Sequence, residues 1–131
     1  MDRGIFILIV GLVLVLIGCT SVLSPLRSAW NTTNAGAVDT EIKIGAGHQA
    51  DLDAVIADTT LTKEQKLQAV DAVEAKWAPA YEAYRALRAV LASTRAALLA
   101  AELEEEPDAA KIAALVEQLI TARDAVERAI P

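Results

Sequence analysis

The chain holds one cysteine, Cys19, and one histidine, His48, so any nucleophilic, redox or metal chemistry would run through very few side chains. A single cysteine excludes an intramolecular disulfide framework, and one histidine without paired cysteines excludes a recognisable zinc site. His48 stands beside Gln49 with no companion in the sequence to orient it, and an isolated histidine lacks the positioned partners that catalysis needs. The serines lie outside any nucleophile-elbow motif, and no glycine-rich loop is spaced to cradle phosphate. Glu102, Glu104, Glu105, Glu106 and Asp108 form an acidic cluster, but it lacks the spaced oxygen ligands and central glycine of a calcium loop and reads as a solvated tip. The reading is a non-enzyme without cofactor or metal.

Two other groups of residues could act by contact. Trp77, Tyr81 and Tyr84 share one face at helical spacing. They either anchor a partner protein, since such rings dominate binding hot spots, or fill a wide part of a helical core. Cys19 follows an uncharged apolar run over residues 4–18 and closes the segment Leu16-Ile17-Gly18-Cys19 at its end. That run fits the apolar stretch of a secretory signal, and its extension to residues 4–23 reaches the length of a spanning helix.

The segment LIGC resembles the lipobox of bacterial prolipoproteins. The resemblance covers residues 1–19 and implies that Cys19 is acylated, that residues 1–18 are removed, and that lipid holds the mature chain on a membrane. By the same resemblance, Thr20 after the cysteine permits delivery to an outer membrane. Two or three acyl chains anchor stably where one binds marginally. The expected location is the cell membrane or outer membrane with the helical domain outside the cytoplasm. The alternative is a permanent single-span anchor over residues 4–23, serving a larger complex or virion; a phage lysis or exclusion factor is compatible with the same composition. Asn31-Thr32-Thr33 spells a glycosylation sequon that a bacterial lipoprotein would not use.

The elements that must carry these residues follow from pattern. The chain has 131 residues, 54% of them hydrophobic, and a net charge of -6, enough for one domain and unsuited to nucleic acid. Residues 19–47 are rich in Ser, Thr, Asn and Pro and read as a linker, with Trp30 placed to rest at a membrane interface. Within it Val38, Thr40, Ile42 and Ile44 alternate with charged residues, a period-two pattern that suits an extended linker, a frayed helix start, or a strand added to a partner's sheet.

An all-α domain is expected over residues 48–131, with helices at about 48–58, 63–103 and 107–130. Thr62 and Gln65 make a capping box. Val70, Trp77, Tyr84, Leu91 and Leu98 recur every seven residues, with Val73, Ala80, Leu87, Thr94 and Ala101 three later. Ile112, Leu119 and Val126, followed by Leu115, Ala122 and Ala129, repeat the pattern in the last helix. Pro79 should kink the central helix. The short connection near Pro107 folds the last helix back antiparallel, setting Arg95 near Glu117, Arg88 near Asp124 and Arg85 near Glu127. The short helix covers the first half of the central one, bringing Leu52, Val55 and Ile56 beside Leu67 and Val70. Apolar surface left open by this arrangement favours self-association or a helical protein partner.

Overall fold

The computed structural model describes residues 22–131 with their side chains and carries the backbone of the first helix back to Arg3. The chain forms three α-helices: α1 (Arg3–Ala57), α2 (Lys63–Glu102) and α3 (Ala109–Ala129). All three pack on one another. The described residues contain no strand.

The heptad positions of α2 and α3 point inward. Trp77, Ala80, Leu87, Leu91, Thr94, Leu98 and Ala101 are buried in α2, and Ile112, Leu119 and Val126 in α3. Thr94 is tolerated in the core because its hydroxyl donates back to the carbonyls of Val90 and Leu91, so no polar atom is left unpaired.

The third partner differs from expectation. Residues 22–47 are helical rather than a linker, and they pack from their first turn, with Leu23 and Leu26 in the core. The cause is a spacing hidden by residue type. Leu23, Leu26, Trp30, Thr33, Ala37, Thr40, Ile44, Gly47 and Asp51 recur three and four apart, the seam of a heptad helix, and none of the nine is exposed. Thr, Gly and Asp at these positions weaken both the apolar signal and the helix propensity, yet packing against two neighbours overrides propensity. The period-two run over residues 38–44 lies inside this helix, with Ile44 buried and Val38 and Ile42 exposed, so it offers no strand.

Local hydrogen bonds set the turns. Asp58 accepts from the hydroxyl and backbone N–H of Thr60, and these hydrogen bonds hold its carboxyl below the ordinary range against a smaller opposing effect of burial. Thr62 and Gln65 then form the reciprocal capping box that opens α2. At the other end Leu103 closes α2, and Asp108 caps α3 by accepting from the N–H groups of Ala110 and Lys111. Pro107 therefore sits just ahead of the cap, and α3 begins two residues later than the expected 107. Pro79 lies within α2 on an exposed position.

α1 lies antiparallel to α2 along its described length. Arg27 pairs with Glu102 at 2.7 Å, Trp30 donates to the Leu91 carbonyl at 2.8 Å, and Lys66 donates to the Ile56 carbonyl at 2.7 Å. Coverage of α2 thus passes from one end to the other on a single helix, and no handover occurs at Pro79. Trp30 is held inside the bundle, half-buried with the Arg95 guanidinium 5.6 Å from its ring, rather than placed for a membrane interface. Among the described residues the expected pairs of Arg95, Arg88 and Arg85 with α3 do not form. Arg95 is drawn to Trp30 instead, and Arg85 donates to the Tyr81 carbonyl at 3.4 Å. Exposed pairs are worth too little to dictate register against such alternatives.

With 21 residues against 40, α3 covers only the half of α2 that ends at Glu102. Beyond it the molecule is two helices deep. Leu52, Val55 and Val70 are half-buried there, whereas Ile56 and Leu67, expected to meet their neighbours, are exposed.

Candidate functional site

The polar and aromatic residues singled out by type converge on one seam between α1 and α2. Heptad spacing on α2 aims Trp77, Tyr81 and Tyr84 at α1, where Glu41, Ile44, Gly47, His48 and Asp51 follow one another on the facing stripe.

Trp77 is buried, and the six-membered edge of its indole lies over Gly47. A β-carbon at position 47 would come within 2.4 Å of the ring, so only glycine leaves room for this close approach. The indole N–H donates to Asp51 Oδ2 at 2.7 Å, and Lys76 Nζ donates to the same oxygen at 2.8 Å. The Lys76 hydrogen bond, followed by that of Trp77, holds the Asp51 carboxyl below its ordinary value against a smaller opposing effect of burial. Lys76 also sits 5.9 Å from the Trp77 ring centre.

One turn earlier, His48 has both ring nitrogens engaged. Nε2 lies 2.9 Å from Glu74 Oε1 and Nδ1 lies 2.9 Å from the Tyr81 hydroxyl. A carboxylate can only accept, which assigns the proton of a neutral imidazole to Nε2 and makes Nδ1 the acceptor of the Tyr81 O–H. The Tyr81 ring also meets the imidazole edge-on, with centres 5.4 Å apart. The histidine that stood alone in the sequence is therefore partnered by residues 26 and 33 positions away.

Tyr84 completes the seam by donating to Glu41 Oε2 at 3.0 Å. Burial, and then the Glu41 carboxylate, push its phenol above the ordinary value, since both disfavour a phenolate. A cleft of about 240 Å3 opens between these side chains, lined by Glu41, Ile44, Tyr81, Tyr84 and Arg85.

The chemistry of this arrangement is positional. Its acids, phenols and imidazole are hydrogen-bonded to one another across two helices, and the hydroxyl that meets His48 is the Tyr81 phenol. A partly buried polar network of this kind is satisfied in one register and broken by a slip in either direction, which is how polar core groups specify alignment. Among the described residues no three His, Cys, Asp or Glu side chains gather so as to hold a metal ion.

The expected contact residues thus meet inside the molecule. Trp77 is an interior ring rather than an exposed anchor, while Tyr81 and Tyr84 keep part of their surface in the cleft. Cys19 lies outside the residues described with side chains. Sequence reasoning missed Glu41, Gly47, Asp51 and Glu74; the signal for the α1 members was the seven-residue step from Ala37 to Ile44 to Asp51, continued from Leu23 and Trp30.

Comparison with known proteins finds no match for this chain among family models, curated proteins or solved structures. Among the described residues no helix is long and apolar enough to cross a membrane.

Proposed function

We propose that the chain is a membrane-tethered envelope lipoprotein, held by lipid on Cys19, whose three-helix bundle works as a non-catalytic structural or protein-interaction module. The reading is carried by one juxtaposition: the uncharged run over residues 4–18 and the LIGC segment stand immediately ahead of a bundle whose packing begins at Leu23. An apolar segment of that length is costly to leave in water, and insertion into lipid removes it. The seam fits a structural role, because its titratable groups are hydrogen-bonded to one another across α1 and α2 and so hold the two helices in register.

A permanent span over residues 4–23 is the second reading, favoured by the helical packing of residues 22–47, which removes the flexible tether expected between lipid and bundle. In either case the domain lies outside the cytoplasm and acts by contact with itself or another helical protein. Fractionation of the full chain expressed in bacteria tests the shared claim. The protein is expected in the membrane fraction and to resist extraction by high salt and alkaline carbonate; recovery in the aqueous fraction would overturn it.

A further inference from the structure

Exposed large apolar residues lie along the sides of the bundle at Val38, Ile42 and Ile120 and at both of its ends. Leu103 is 89% exposed at the turn between α2 and α3, and Leu99, one helical turn before it, is 53% exposed. At the opposite end Ile56 and Leu67 are exposed at 64% and 59%. Hydrophobicity alone does not choose between these ends, and the path of the chain does. α1 enters the core at Leu23 and Leu26, and the Arg27–Glu102 ion pair fixes the last residue of α2 beside that entry. The turn after α2 is therefore at the end where the apolar run of residues 4–18 leaves the bundle. The turn between α1 and α2 is at the other, about 50 Å away along the helix from residue 22 to residue 57 at the helical rise of ~1.5 Å per residue.

Resting on the membrane-anchored reading above, we infer that the bundle stands end-on on the bilayer, with Leu103 and Leu99 entering the lipid interface and the α1–α2 turn held far from it. α1 runs as uninterrupted helix through residues 19–22, so the connection between lipid and bundle is a stiff helical one that holds the far end away from the bilayer. Leu103 is the side chain best placed to gain from the contact, since an exposed leucine beside a membrane anchor is buried in acyl chains without any rearrangement of the fold. The neighbouring carboxylates Glu102, Glu104 and Glu106 keep the contact shallow, at the level of the headgroups. The far turn, with Ile56 and Leu67, then faces away from the bilayer.

The test places a photo-crosslinking benzophenone side chain at position 103 or at position 60 of the full chain, reconstituted into phosphatidylcholine vesicles. Both positions are exposed, so the fold tolerates the change, and unchanged helical circular dichroism checks this. Flotation comes first, and a chain that does not float with the vesicles refutes the anchoring itself and this orientation with it. For a chain that floats, lipid adducts are expected at position 103 and only background at position 60. Equal adducts at both, or adducts at 60 alone, would overturn the end-on orientation while leaving the anchor intact.

Discussion

Replacing Gly47 with alanine should destabilise the bundle, although the same change at two other glycines of α1 should stabilise it. In a helix interior, Gly→Ala ordinarily gains ~0.5–1 kcal/mol from backbone entropy. Gly36 and Gly45 have nothing within 4 Å of the added methyl and should show that gain. At Gly47 the methyl meets Trp77 atoms at 2.4 and 2.8 Å, so the indole must move, and with it the 2.7 Å hydrogen bond to Asp51. Overpacking of this kind costs ~1–3 kcal/mol, which outweighs the helical gain and leaves a net loss of about 1 kcal/mol. Thermal unfolding of the full chain in detergent, followed by circular dichroism, should show Tm falling by about 4 °C for Gly47→Ala and rising by a few degrees for the other two. In a Trp77→Leu background the Gly47→Ala penalty should disappear, because the clash has gone. Equal stabilisation at positions 36, 45 and 47 would refute the packing of Trp77 on α1, and with it the assignment of residues 22–47 to the bundle.

Leu26→Ala removes a side chain with no exposed surface and should lower stability by ~2–5 kcal/mol, whereas Leu103→Ala, at an exposed turn, should stay within about 0.5 kcal/mol in detergent-free bundle unfolding by urea. Tyr84 titrates above 10.0 in the folded chain, so the unfolded chain ionises first and stability falls as pH rises from 10.0 through the folded value; melts at alkaline pH should show this loss shrinking in Tyr84→Phe. Asp51 titrates below 3.8 when folded, so its contribution is complete above 3.8 and is lost as pH falls through the lower folded value; Asp51→Asn should flatten the acid limb of the Tm profile. Tyr81→Phe removes the donor to His48 Nδ1 and should lower stability by ~1 kcal/mol in the same melts, and His48→Phe in a Tyr81→Phe chain should add only the loss of the Glu74 hydrogen bond and its own packing change.

The readability of the chain follows the chemistry of its core positions. In α2 and α3 these hold Trp, Leu, Ile and Val, so the seven-residue repeat stands out, and the buried positions are those the spacing names. The capping box of Thr62 and Gln65 is equally local and equally legible. α1 carries the same repeat in Thr33, Ala37, Thr40, Gly47 and Asp51, residues that turn and linker segments also favour, and its helical state depends on neighbours that the sequence does not display. The polar seam was hidden for the same reason. Once residues 19–47 are taken for a linker, Glu41 and Gly47 have no helix to face, and a helix begun only at His48 hides the stripe that carries His48 and Asp51 to α2. Long-range ion pairs were misplaced because long flexible side chains settle by local competition, as Arg95 does over Trp30.

The measurement that bears most directly on the proposed anchoring is intact mass combined with palmitate labelling of the full chain expressed in bacteria, comparing wild type with Cys19→Ser. Incorporated label, a mass corresponding to a chain that starts at an acylated Cys19, and loss of both in the variant are expected. An unlabelled chain that retains Met1 would contradict the lipoprotein and leave residues 4–23 as the permanent span.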